Sequence, residues 1–541
     1  MGCGEKMKRK AFRCKNIYTV KSSELIDGYV ITEENKIIFV GSEDKGKAFI
    51  TEDTEQFSFD DKFMMPGFHD FHVHLLTGAM AEYGGILRYA ESEEEAARIL
   101  WEKNKDRLDS DWIFGGAWDH FKWPDCKLPS KASLDRYFPN TKVFVPNKEC
   151  HGAWLNSKAL EHFHITKDTP DPKDGYFSRD EDGEPDGYLH ETAQFQFLTQ
   201  IFNSCTDEQI AEYTKAYAKT ANALGITSVG DVAVMNSIRE SAYRLLDEKG
   251  QLNIRVHFAK PLMDDFESLR RLQAEYTGER VRFIGTKDFI DGTPMGHSGY
   301  MLEDYSDMPG FRSCPMIEPE MLIQRVALMS KHNIKVRLHA CGDAGARLCL
   351  DAFEDARKQY GEKDLRHCVE HLEATTPEDI KRFGELKVIA SVQPEHMPKY
   401  DFYNHPFHSM IGEERMRYSW PFESLRKSGA VLAYGTDFPV ADMSPYRGIY
   451  RSVTRLTNEG EPEGGFNSWE KVSVHESLKA YTYGSAYAAN REEELGTLEP
   501  GKLADMVVLD ENIFECAEDR EVMFAIKPVM TIMDGKVVYS R

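Results

Sequence analysis

Residues 66–75 read PGFHDFHVHL, with three histidines and one aspartate in an otherwise apolar run. A strand sends alternate side chains to opposite faces, so Asp70, His72 and His74 are expected on one face and His69 on the other. Two imidazoles on one face, two residues apart, can reach a single metal ion. A polar edge strand is the plain alternative, and the rest of the chain has to decide between them.

Beyond this stretch the chain alternates. TDEQIAEYTKAYAKTANALG (206–225) opens with a capping box, Thr206 and Gln209, and places Ile210, Tyr213, Tyr217 and Leu224 on one helical face; Gly225 stops it. ITSVGD, IRVHFA, VRFIG, VRLHA, HCVEH, VIASVQP and VLAYGTD follow as strand candidates. Helical patterns such as PEMLIQRVALMSKHN and TPEDIKRFGEL lie between most of them. Strand and helix in rotation imply a parallel sheet, and the number of strands favours an α/β fold of the closed (β/α)8 TIM-like barrel type. Residues 80–205 fit the rotation poorly and are expected to hold one or two barrel units plus a large insertion. Short apolar runs broken by turns fill 11–65, and ADMVVLD and PVMTIMDGKVVYS near the end have the same texture, with Asp534-Gly535 as a hairpin signal. The expected division is 1–65 and 491–541 as two parts of one small β-sandwich, around a barrel spanning 66–490.

Bulk properties exclude several classes. A net charge of −23 over 541 residues argues against a nucleic-acid binder. Hydrophobic content of 41% and aromatic content of 11% are ordinary for a globular protein. There is no apolar run of membrane-spanning length, and no apolar segment follows the basic start MGCGEKMKRK, so neither a membrane span nor a signal peptide is expected. Gly2 suggests myristoylation, but Lys6 stands where Ser or Thr is needed. The ten cysteines form no CxxC pair and read as reduced thiols of a cytoplasmic protein. GSEDKGKA (41–48) nearly matches a phosphate loop, but Ala48 lacks the magnesium-binding hydroxyl; it reads as a polar turn.

Barrel enzymes collect their chemistry at the C-terminal ends of the strands. VRLHA ends there in His339, HCVEH in His371 and VLAYGTD in Asp437. Their spacings, 32 and 66 residues, are close to one and two βαβ units. Four histidines and an aspartate converging in this way favour a metal site. Imidazole with carboxylate suits zinc, iron, manganese or nickel better than magnesium or calcium. TKDFIDG adds Lys287, which as a carbamate could bridge two cations; pairing with Asp288 or Asp291 is the equal alternative.

These segments together resemble the amidohydrolase superfamily, in its amidohydrolase-3, YtcJ-like branch, which includes N-substituted formamide deformylases. PGFHDFHVHL, GGAWDHFKWP, HGAWLNSKAL, KDFIDG, LHACGDAGAR, VEHLE, VQPEH, YGTDFPV and the tail YTYGSAYAANREEELGTLEPGKLADMVVLD carry the resemblance, from about residue 25 to the end. It implies His72 and His74 on a buried metal that Asp437 also contacts, and His339 and His371 on a second. A carboxylated Lys287 would bridge the two, giving a binuclear centre, with zinc as the expected metal. His69 and Asp288 depart from the branch, where both positions are usually apolar. Asp288 could pair with Lys287 and leave a single ion.

The implied activity is hydrolysis of an amide, such as an N-acyl or N-formyl amine, by a metal-activated hydroxide, with Asp437 as the catalytic proton shuttle. Trp118, Asp119, His151, Asp291 and His396 are candidate substrate contacts. The aromatics of the insert, Trp123 and Trp154 among them, lean toward an apolar acyl or amine group. Deamination and ester, lactone or phosphoester hydrolysis use similar chemistry and stay open, as does a non-catalytic metal or ligand binder on a barrel scaffold. The expected partner is a small-molecule substrate, with no nucleic acid and no membrane; a homodimer is left open.

Overall fold

The structure, a computed structural model, describes residues 8–173 and 175–541. The expectations resting on Gly2 and Lys6, and the tenth cysteine, Cys3, lie outside the described residues. The nine described cysteines are free. No helix among the described residues is long and apolar enough to cross a membrane.

The chain begins with β1 (Arg9–Tyr18), β2 (Leu25–Glu33), β3 (Lys36–Ser42) and β4 (Glu55–Pro66). GSEDKGKA closes β3 and adds a single helical turn, Glu43–Gly46. Only Gly67 then separates β4 from β5 (Phe68–Val73), the strand of the histidine motif. An inserted unit follows, with β6 (Trp112–Phe114), β7 (Lys142–Pro146), β8 (Gly152–Leu155), β9 (Gly175–Arg179) and β10 (Pro185–Glu191). These five form a sheet of their own, in the order β6-β7-β8-β10-β9.

The alternating region contributes β11 (Ile226–Val232), β12 (Arg255–Pro261), β13 (Val281–Phe289), β14 (Val336–Ala340), β15 (Cys368–His371), β16 (Ile389–Val392) and β17 (Leu432–Tyr434). With β5 they make an eight-stranded parallel sheet, ordered β17 back to β11 and then β5. Its two edges meet: Val73 bridges Phe438, the His74 N–H donates to Phe438 O (2.9 Å) and the Asp437 N–H to His72 O (2.8 Å). The sheet is therefore a closed (β/α)8 barrel. The segment 80–205 supplies none of its strands, which corrects the expectation of one or two barrel units there. VRFIG and TKDF turn out to be one strand, β13. The Thr206–Gln209 capping box forms as expected and starts the helix Asp207–Ala223.

β18 (Met506–Leu509), β19 (Pro528–Met533) and β20 (Lys536–Ser540) join β1–β4 in a seven-stranded sheet ordered β20-β19-β18-β4-β1-β2-β3. Asp534 and Gly535, both at positive φ, make the tight turn between the last two strands. Phe12, Ile17, Val30, Met64, Met506, Val508 and Ile532 fill this unit's own core, so both chain ends bury one shared apolar surface. A buried ion cluster fastens it to the barrel. Arg255 of β12 donates through Nε and Nη2 to the two Asp505 oxygens (2.7 and 2.9 Å), and Nη2 also reaches Asp534 Oδ1 (3.1 Å).

Two bulges decide which barrel residues face inward. Phe71, Ile284, Cys368, Ile389 and Ala433 come from five strands of the closed barrel yet form one apolar cluster, so they lie inside it. On β5, Asp70 pairs with Val229 but Val73 with Asp231, so β5 carries one residue more than β11 over that interval. Phe71 and His72 then both face inward. On β13 the pairing slips between Phe283 and Gly285, and Lys287 faces inward as Ile284 does. Gly285 sits at φ +137°, and a Cβ there would come within 2.4 Å of Lys335 O, so the slip requires glycine.

Candidate metal centre

The bulge in β5 overturns the simple alternation expected of PGFHDFHVHL. His69 shares the inner face with Phe71, its Nε2 lying 3.1 Å from His257 Nδ1. Arg491 donates to His257 Nε2 (3.0 Å), so His257 donates onward to His69. Asp70 leaves the metal-facing side and holds Thr436, accepting its N–H (2.8 Å) and its hydroxyl (2.5 Å). That grip fixes the backbone beside Asp437.

His72 and His74 reach the same carboxylate. His72 Nε2 lies 3.5 Å and His74 Nε2 3.0 Å from Asp437 Oδ1. Each ring is fixed from behind: His72 Nδ1 meets Glu370 Oε2 at 2.7 Å, and His74 Nδ1 meets Val232 O at 3.2 Å. A carboxylate and a carbonyl only accept here, so both Nδ1 atoms carry a proton, and in the neutral rings both Nε2 atoms turn a lone pair toward Asp437. Asp437 Oδ1 accordingly has no hydrogen-bond partner, and neither does His72 Nε2. Lone pairs facing a carboxylate oxygen repel; a cation among them turns the same arrangement into a ligand set.

The remaining candidates extend this pattern. Lys287 Nζ, His339 Nδ1, His371 Nδ1 and His396 Nε2 are also buried without a hydrogen-bond partner. Donor atoms of His72, His371 and Asp437 lie within 4.8 Å of one another, as do those of His339, Cys341 and His371. His339 Nε2 lies 3.3 Å from Cys341 Sγ and 3.4 Å from Gly292 O, which leaves Nδ1 free. His396 Nε2 stands 3.4 Å from Asp437 Oδ2. Lys287 Nζ sits 3.2 Å from the centre of the Phe289 ring, which in turn packs on His339. Asp288 does not capture Lys287; its carboxylate accepts the Phe289 N–H (2.9 Å).

Burial sets the charge states. It pushes His72 down to about 4, and His339 and His371 well below the usual range, so these imidazoles are neutral, as ligation requires. Lys287 is lowered to about 8 by burial, partly offset by Glu370 and Asp437. Burial alone would raise Asp437, and positive charge on the facing His72, His74 and His396 lowers it well below the ordinary carboxylate range; with His72 neutral, a bound cation would supply that charge. Two of these residues occupy backbone conformations that side chains avoid, His371 at φ +76° and Asp437 at φ +59°.

Sequence reading missed Glu370 and Arg337. Glu370 Oε1 receives Arg337 Nε (2.7 Å), and Arg337 Nη2 donates to Phe71 O (2.9 Å), all fully buried. Taking His371 as inward sends Glu370 outward by alternation; the positive φ at His371 brings both in. The one available signal was the acid itself, on a strand that is otherwise buried.

Four of the candidate substrate contacts are engaged by protein groups, and of these Asp291 lies beside the centre, 3.8 Å from His339 Nε2. Trp118 is fully buried in the core of the inserted unit with Trp123 and Trp154, and its indole N–H donates to Val145 O (2.8 Å). Asp119 pairs with Lys148 (2.8 Å) and His151 with Glu191 (2.9 Å). Asp291 accepts the N–H groups of Cys341 (2.9 Å), Gly342 (2.8 Å) and Tyr300 (2.9 Å), so it pins the loops around the centre. Only His396 joins the metal-facing set. Cys150, next to His151, is pushed up to about 12, first by burial and then by the charge of Asp437.

The chain matches the amidohydrolase family over residues 59–539. Among curated proteins it is 27% identical to the putative amidohydrolase YtcJ of Bacillus subtilis (strain 168), over 97% of this chain and 98% of that one. It is 25% identical to the N-substituted formamide deformylase of Arthrobacter pascens, over 97% of each. Among solved structures, an uncharacterized metal-dependent hydrolase from Pyrococcus horikoshii OT3 superposes with a TM-score of 0.78 at 26% identity, over 95% of this chain and 99% of that one.

Proposed function

The chain belongs to the amidohydrolase family, and on that premise we propose that it is a metal-dependent hydrolase of carbon–nitrogen bonds, cleaving an amide such as an N-formyl or N-acyl amine. The observation that carries this is Asp437 Oδ1, unpartnered and faced by the lone pairs of two histidines whose rings are held from behind. The donor set, imidazole with carboxylate, fits zinc or a similar divalent ion. His72, His74 and Asp437 would hold one ion. Lys287, carboxylated on Nζ, would join it to a second held by His339 and His371.

Bound there, divalent ions supply a nucleophile at neutral pH and a Lewis acid for the substrate carbonyl. The protein's own residues do the rest. Asp437, ionised at working pH, accepts the proton released as the nucleophile attacks and returns it to the departing nitrogen. His396, with Nδ1 3.6 Å from Glu373 Oε1 and Nε2 3.4 Å from Asp437 Oδ2 without a hydrogen-bond partner, would donate from Nε2 to the substrate carbonyl or to the leaving group. Glu370, anchored by Arg337, keeps the His72 proton on Nδ1. Asp70 holds Thr436, and through it the position of Asp437.

The test is turnover by metal-loaded protein on N-formyl and N-acyl amines, matched alkyl esters and aminated heterocycles. Amide cleavage as the fastest reaction supports the assignment; hydrolysis confined to esters, or deamination alone, overturns it.

A further inference from the structure

The exposed large apolar side chains are not spread evenly around the barrel. The loop after β13 (290–318) carries Met295 (42% exposed), Met308 (42%), Phe311 (42%) and Met316 (61%), and the loop after β16 carries Tyr403 (65%); Tyr400 of that loop lines a separate cleft with Arg447, Asn458 and Phe524. Both loops leave the barrel at the end where the metal-facing residues lie. Among the described residues, the short connections that enter the strands at the opposite end (224–225, 249–254, 276–280, 332–335, 361–367, 387–388 and 428–431) expose no such side chain.

The two loops are tied together across the mouth. The Ser306 N–H donates to Met410 O (2.8 Å) and Arg415 Nη2 to Asp304 O (2.9 Å). The loop after β13 runs past the end of β14, where Tyr300 O accepts the Ala344 N–H (3.1 Å), to meet the loop that begins beside His396. It also starts at the centre. Gly292 O lies 3.4 Å from His339 Nε2, and the Met316 N–H donates to Ile290 O (2.7 Å), next to the Phe289 ring that covers Lys287.

We propose that this canopy binds an unbranched apolar chain on the substrate, so that the enzyme prefers amides carrying a flexible alkyl or acyl tail over short ones. The inference rests on the amidase reading above and names its substrate class. Methionine is unbranched and polarizable, so it adapts to a flexible chain better than a rigid aromatic wall does. Continuity with Phe289 leads the apolar surface out from the metal-facing residues. Glu303, Asp304 and Asp307 in the same loop, and a chain charge of −23, disfavour an anionic lipid surface as the occupant.

A series of N-acyl amines from formyl to octanoyl, and a matching series of N-formyl n-alkylamines, tests this. In at least one series kcat/KM rises with each added methylene, approaching about fourfold where burial is complete. The double variant Met295→Ser/Met316→Ser lowers the long-to-short ratio of kcat/KM at least tenfold. Met321→Ser, equally exposed on the helix Pro319–Lys331, leaves that ratio unchanged. Level rates along both series, or a gradient indifferent to the double variant, overturn the proposal while the amidase reading stands. A double variant that only changes the oligomeric state in sedimentation also overturns it. Failure to cleave any amide overturns both.

Discussion

Two buried charge clusters lie at opposite ends of the barrel, and they are built differently. At the seam with the terminal sheet, Arg255 is saturated: Nε and Nη2 reach Asp505 and Asp534, and Nη1 reaches Glu279 O (3.2 Å). At the mouth, Asp437, His72, His339, His371, His396 and Lys287 each keep a buried polar atom with no partner. Desolvated groups left this way cost stability unless something pairs them. The Arg255 cluster is complete as protein alone, whereas the mouth leaves groups that an added cation would pair. One cluster holds two units together; the other is arranged for a ligand and for chemistry.

That contrast can be broken most sharply at Asp437. Asp437→Asn should lower kcat by about 10²–10⁴-fold, the range for losing a general acid–base group. It should not destabilise the metal-free protein, because the substitution removes a charge that faces two lone pairs; steady-state kinetics with thermal unfolding checks both halves. The seam should respond the opposite way. Arg255→Met strands the buried Asp505 carboxylate, while Asp534 keeps Arg280, and should cost about 3–5 kcal/mol in urea unfolding, with turnover per folded molecule unchanged.

Glu370→Gln probes a residue of intermediate character, structural in its bond to Arg337 and functional in its bond to His72. Metal affinity should fall about 10- to 100-fold, measured by competition with a chromophoric chelator. The smallest effect is expected in acid. Arg280 and Arg255 outweigh burial and hold Asp534 at about 2, below its ordinary 3.8. A depressed carboxylate stabilises the fold above its unfolded-state value and loses that contribution as pH falls through the folded one. About 2 kcal/mol should therefore disappear between roughly pH 4 and pH 2, seen in urea midpoints and absent in Asp534→Asn.

The fold was legible in the sequence because most of the barrel strands are apolar runs between recognisable helix signals; β5 stood out by its histidines instead, and β13 reads as two runs. The segment 80–205 was misread for the same reason: WIF, KVFVP and GAWL are apolar runs too, but they pair with one another and not with the barrel. Within the site, the histidines and Asp437 were legible by residue type and position at strand ends. Their facing was not, since the extra residue in β5, the slip at Gly285 and the left-handed His371 each shift the alternation that periodicity assumes. His69, expected on the face opposite His72, faces inward and is engaged by His257. Trp118 shows the limit of composition, because an aromatic-rich insert builds its own core before it offers a wall to a substrate.

The most direct test is elemental analysis of the purified protein beside its His72→Ala/His74→Ala variant, with both proteins shown to be folded by circular dichroism. The account predicts one to two equivalents of a divalent transition metal in the parent protein and a loss of at least one equivalent in the variant. A parent protein that hydrolyses amides without bound metal, or a variant that keeps its full metal content, would contradict it.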